Sequence, residues 1–174
     1  MKRLLPVILI SLSLISACIA ENPAKQTKIK WMTLDEAIKK NSVSKKKIFI
    51  DVYTDWCGWC KRMDATTFED EKVVAYMNAN YYSVKLDAET KDSLTFKNKK
   101  YGYQPNNKAN ELAIYFLKGQ MGYPTAVYLD EELNLITPVP GYQTVEQLMP
   151  ILHYFGDNIY KTSSWEDYVK SGSH

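Results

Sequence analysis

Residues 50–61 read Ile50-Asp51-Val52-Tyr53-Thr54-Asp55-Trp56-Cys57-Gly58-Trp59-Cys60-Lys61. The first half continues from Ile48-Phe49 as a β-branched, aromatic run. It is too apolar for an edge and fits a buried central strand. A cysteine pair follows at once, then Lys61-Arg62-Met63, which predicts a helix opening at the cysteines. A cysteine at a helix N-terminus feels the partial positive charge of unpaired backbone N–H groups, and this stabilises its thiolate. The thiolate is the species that attacks a disulfide. Two intervening residues put the second sulfur one helical turn on, within reach to resolve a mixed disulfide. Lys61 and Arg62 add positive charge nearby.

Two other chemistries fit a pair with this spacing. Half a zinc site needs two more soft or imidazole ligands. The body has no other cysteine, and its histidines are His153 in a late helix and His174 at the terminus. A purely structural disulfide closes so small a loop that it stabilises little.

On either side of this junction the chain alternates strand and helix patterns. Residues 28–32 supply a short first strand. Thr33-Leu34-Asp35-Glu36 is a capping box, with Leu34, Ala37 and Ile38 on one face of the helix behind it. A helix over residues 69–79 presents Val73, Val74 and Met77, and residues 81–86 form a strand. Residues 87–107 are polar and lysine-rich, and are assigned a short helix and a loop. A helix over 108–118 stops at Gly119. Residues 124–129 and 133–139 form an antiparallel pair, Gly141 turns into a helix over 145–155, and 160–170 is a last short helix. The order βαβαβαββα makes an α/β fold, a central mixed β-sheet with helices on both faces.

Length and charge narrow the function classes. The chain has 174 residues, enough for one domain with one buried core. Lys plus Arg number 22 and Asp plus Glu 20, and the two surplus positives are Lys2 and Arg3. A body without net charge or a basic stretch argues against a nucleic-acid partner. The seven glycines form no phosphate-cradling loop, so no nucleotide or flavin site is expected. Residues 1–17 read as a signal peptide: Met1-Lys2-Arg3, then an apolar run too short to span a bilayer with ease. Ile15-Ser16-Ala17-Cys18 resembles the lipobox of bacterial lipoproteins, cut before a Cys18 that is then acylated. Ordinary cleavage after Ala20 is the alternative. Residues 18–28 form a polar tether, and either cleavage puts the body in an oxidising compartment.

With these residues in hand, the chain resembles the thioredoxin superfamily in its secreted, envelope branch. The run 50–61 matches the family's strand, buried aspartate, Trp-Cys-Gly-x-Cys and following lysine. Gly122-Tyr123-Pro124-Thr125 resembles its cis-proline loop, Val84-Lys85-Leu86-Asp87 its lysine-bearing strand, and Gly141 its glycine before the last helix. The resemblance implies a thioredoxin-like fold, with the domain over 29–156 and a helical extension over 157–174. It implies that Cys57 is the nucleophile, Cys60 the resolving thiol, and Asp51 a buried carboxylate relaying a proton to Cys60. Lys85 either pairs with Asp51 or stays solvated, and Lys61 tunes the thiolate. A cis Pro124 with Tyr123, Gly58 and Trp59 would bind the substrate strand. Trp56 would shield the disulfide, or else fill the core.

The implied activity is thiol–disulfide exchange, reducing client proteins through a redox-active Cys57–Cys60 disulfide with no metal or organic cofactor. A membrane electron donor or oxidant recycles the pair, in the periplasm or cell envelope, with a lipid anchor as the only membrane contact. An oxidant, an isomerase or a non-catalytic client-binding module of the same fold remains open. The sequence departs from the family at Trp59, where cytoplasmic thioredoxins carry proline, in a longer segment 88–107, and in the extension.

Overall fold

The computed structural model describes residues 27–172. The signal peptide, Cys18 and most of the tether lie outside the described residues. The chain enters through β1 (Trp31–Met32) and α1 (Leu34–Val43). The capping box predicted for α1 is present: Thr33 Oγ1 accepts from the Glu36 amide at 3.3 Å, and Glu36 Oε2 accepts from the Thr33 amide at 2.8 Å. Next come β2 (Lys47–Tyr53) and α2 (Gly58–Ala65). The helix expected from residue 69 begins as a 3-10 turn over Thr67–Glu69 and continues as α3 (Glu71–Asn80). Asp70 separates them because its carboxylate caps α3 through the amides of Lys72 and Val73. β3 (Tyr81–Asp87) follows.

Residues 87–107 contain no helix, contrary to the sequence reading. They form β4 (Leu94–Phe96), β5 (Lys99–Tyr101) and β6 (Tyr103–Gln104), the last pairing with β7 (Ala109–Asn110). β4 and β5 are joined by Lys97-Asn98, both with positive φ (48° and 62°), the backbone of a type I′ hairpin. Phe96 and Tyr101 are buried, which is what the hairpin gains by folding back. α4 is Glu111–Phe116, shorter than expected because residues 109–110 pair as a strand. It ends where expected, with Gly119 at φ 79° donating its amide to Ile114 O at 2.9 Å.

β8 (Thr125–Leu129), β9 (Leu135–Pro140) and α5 (Val145–Gly156) complete the expected order. The extension expected as one helix is a 3-10 turn, Ile159–Lys161, and then α6 (Trp165–Ser171), whose Tyr168 is buried in the main core.

The sheet runs β1-β3-β2-β8-β9, with β1 and β2 parallel to β3, β8 antiparallel to β2, and β9 antiparallel to β8. β2 is therefore central, as its composition predicts. Alternation along it separates two cores. Ile48, Ile50 and Val52 join α1, α4 and the Phe96 hairpin on one face; Phe49 joins α2, α3, α5 and α6 on the other. Asp51 falls in phase with Phe49, on the α2 face. Among the described residues no helix is long and apolar enough to cross a membrane.

Candidate active site

β2 leaves the sheet at Thr54, whose carbonyl accepts from the Cys57 amide at 3.1 Å. Cys57 is the N-cap of α2 and is disulfide-bonded to Cys60, with Cα atoms 5.3 Å apart. Exposure does not distinguish the two sulfurs, since Cys57 is 4% exposed and Cys60 2%. Hydrogen bonding distinguishes the two instead: the Cys60 amide donates to Cys57 Sγ at 3.1 Å. That donor and the N-terminal end of α2 favour negative charge on Cys57 when the pair is reduced. Lys61, expected to tune the pair, is exposed on α2.

On the α2 face of β2, Asp51 is 2% exposed. Its register neighbour on β3 is Lys85, and Lys85 Nζ donates to Asp51 Oδ2 at 2.6 Å. The same ammonium also pairs with Asp64 on α2. Burial pushes the Asp51 carboxyl above its usual range; Lys85 opposes this, and Asp64 reinforces it. Burial lowers the Lys85 pKa, but Asp51 and Asp64 outweigh it and leave the ammonium above its usual value. Trp31, Tyr53 and Phe68 rings surround Lys85 at 4.9–5.3 Å. Asp64 follows Cys60 by one helical turn, on the side of α2 where Cys60 and Met63 are buried. Sequence reasoning missed it, although that i, i+4 spacing was a usable signal.

The Tyr123–Pro124 peptide is cis, as the resemblance implied, and Pro124 is buried at the start of β8. Tyr123 packs edge-on against Trp56, ring centroids 5.8 Å apart, which places the proline loop beside the strand-to-helix junction. Trp56 is 65% exposed and is no core residue. Glu89, another residue the sequence did not reveal, accepts its indole N–H at 3.1 Å. Trp59 is also exposed and packs on Tyr142 at 5.3 Å, with the Arg62 guanidinium 5.7 Å from its ring. Gly58 lies between them on the surface, and a Cβ there would meet nothing within 4 Å. Among the described residues no three His, Cys, Asp or Glu side chains converge as a metal site.

Comparison with known proteins agrees with this geometry. The family model described as a thioredoxin-like domain matches residues 34–156. The chain is 28% identical over 102 residues to an uncharacterized protein of Caenorhabditis elegans, a match covering 59% of this chain and 12% of that protein. It is 26% identical over 106 residues to the thiol:disulfide interchange protein DsbD of Yersinia pestis, covering 60% of this chain and 15% of DsbD. Both relatives are thus far longer than the matched stretch. A thioredoxin from Thermus thermophilus superposes with a TM-score of 0.57 at 16% identity, over 74% of this chain and 87% of that one. The chain belongs to the thioredoxin-like domain family.

Proposed function

We propose that the protein is a thiol–disulfide oxidoreductase that works outside the cytoplasm and reduces disulfides of client proteins. The observation that carries this reading is the placement of Cys57: its sulfur caps α2, is disulfide-bonded to Cys60, and accepts the Cys60 amide. In the reduced protein the Cys57 thiolate attacks one sulfur of the client disulfide. A Cys57–client bond forms, and the other client sulfur leaves as a thiolate and takes a proton from water. Cys60 passes its proton to Asp51 and attacks Cys57 Sγ, which breaks the mixed disulfide and releases the second client thiolate. Two electrons pass to the client, and the Cys57–Cys60 disulfide is left. A dithiol donor at the membrane must then exchange with that disulfide to restore the pair. No organic or metal cofactor enters these steps.

Asp51 suits the proton-accepting role because its burial disfavours the anion, so it holds a proton more readily than a solvated carboxylate. Trp56, Gly58, Trp59, Tyr123 and Pro124 would bind the client segment around the sulfurs, with Lys85 setting the charge of Asp51 and Lys61 adding positive charge. The N-terminal sequence supports export, and lipidation at Cys18 would tether the domain to a membrane. The test is insulin reduction driven by dithiothreitol. Wild type should accelerate it, Cys57→Ser should abolish the acceleration, and Cys60→Ser should accumulate a covalent client adduct on Cys57. An adduct found on Cys60 in Cys57→Ser, with none on Cys57 in Cys60→Ser, would reverse the roles.

A further inference from the structure

The surface around the disulfide is apolar at its centre and oppositely charged on its two sides. Trp56 and Trp59 are 65% and 57% exposed on either side of Cys57, and Met121, in the loop leading to Pro124, is exposed as well. An exposed apolar patch rimmed by polar groups marks an interaction surface. On the Trp56 side, Asp55 precedes the indole in the chain and Glu89 holds its N–H. Asp87 in turn accepts the Glu89 amide at 2.9 Å. None of these three carboxylates has an ion-pair partner among the described residues. Burial pushes the Asp87 carboxyl up, the Glu89 amide opposes this, and the repulsion of Asp55 and Glu89 reinforces it; burial, Glu89 and Asp87 also raise the Tyr123 phenol. Hydrogen bonds thus tie Glu89 to Trp56 and Asp87 to Glu89, with Tyr123 edge-on against the same indole, and Asp55 acts on Asp87. On the Trp59 side stands Arg62, over both Trp59 and Tyr142. After the first three residues the chain has no net charge, so this separation is local.

We propose that this surface docks a client segment whose reacting cysteine is flanked on one side by a lysine or arginine, seated against Trp56 and Tyr123 among Asp55, Asp87 and Glu89. The choice of occupant rests on the redox reading above; the charge preference rests on the surface alone. A cation there gains the indole face and the three carboxylates, whereas an acidic residue meets like charge. A cation on the opposite flank meets Arg62.

The oxidised wild-type protein and short peptides carrying serine in place of the reacting cysteine separate docking from chemistry. The peptides place lysine or glutamate before or after the serine, and binding is read by calorimetry at low salt. At one of the two flanks the lysine peptide should bind about 5–10-fold more tightly than its glutamate counterpart, a size set by a few partly exposed charge contacts. The preference should fall below about twofold in the Asp55→Asn/Asp87→Asn/Glu89→Gln variant, whose glutamine still accepts the Trp56 N–H, and at high salt. Equal binding at both flanks, or a preference that survives the triple substitution, overturns the proposal. The same peptides as cysteine disulfides, mixed with reduced protein, test the other premise. If they are left intact while the serine peptides keep their preference, the redox reading fails and the docking surface stands. If all are reduced alike and the serine peptides bind alike, the docking surface fails and the redox reading stands.

Discussion

Asp51 shows how one residue's environment sets its chemistry. The apolar run around it already indicated a buried central strand, and the structure buries Asp51 on the α2 face with Lys85 as its counter-ion. The direction of its pKa shift was legible for that reason. The part played by Asp64 was not, because it depends on Lys85 being brought across by the register of β2 on β3. Asp51→Asn should leave Cys57 attack intact and slow mixed-disulfide resolution by about 10²-fold, the usual scale for a lost proton transfer. Stopped-flow decay of the mixed disulfide checks this, and equal decay in both proteins would remove Asp51 from the mechanism. The same shift has a stability consequence. A carboxyl with a folded pKa above its unfolded value contributes stability below about pH 4, and this is lost as pH rises through the folded pKa. The melting temperature of Asp51→Asn relative to wild type should therefore rise between pH 4 and pH 7. Lys85 keeps Asp64 in that variant, so it is not left as an uncompensated charge.

At the level of elements, the caps were readable and the small strands were not. The Thr33-x-x-Glu36 box and the Gly119 stop are local signals, and both elements end where those signals lie. The 94–101 hairpin carries no Asn-Gly or Asp-Gly; its turn is Lys97-Asn98, and polar lysines flank it. Only the burial of Phe96 and Tyr101 against the α4 side gives it a reason to form, and that contact is tertiary: Phe96 meets Phe116 at 5.1 Å. Asn98 holds φ 62°, a region β-branched residues avoid. Asn98→Val should cost about 1–3 kcal/mol, read as a lower urea midpoint with an unchanged slope. An unchanged midpoint would mean that the turn relaxes without cost.

Over the whole molecule, the central strand and the cysteine junction could be read from one continuous run of sequence, whereas the sheet order and the seating of the extension required long-range pairing. Tyr154 OH donates to Ser163 O at 2.8 Å, and its ring packs on Trp165 and Tyr168. The extension is thus part of the core on the α2 face. Its other contacts include Asp157 accepting from the Tyr76 phenol at 2.7 Å and Asn158 Oδ1 accepting from the Lys47 ammonium at 2.9 Å, at the end of β2 away from the cysteines. Truncation after Gly156 should therefore lower stability by several kcal/mol, since burying one aromatic side chain contributes about 1.5–3 kcal/mol. The rate of thiol–disulfide exchange in the folded fraction should stay unchanged. Chemical denaturation and exchange kinetics on the truncated chain separate these outcomes, and a lost exchange rate at full folding would tie the extension to the site. Equilibrating Cys57 and Cys60 with a glutathione redox buffer decides whether they form the proposed reducing dithiol. A potential near that of thioredoxin, about −270 mV, is expected; a value near about −120 mV would make the protein an oxidant and overturn the proposal.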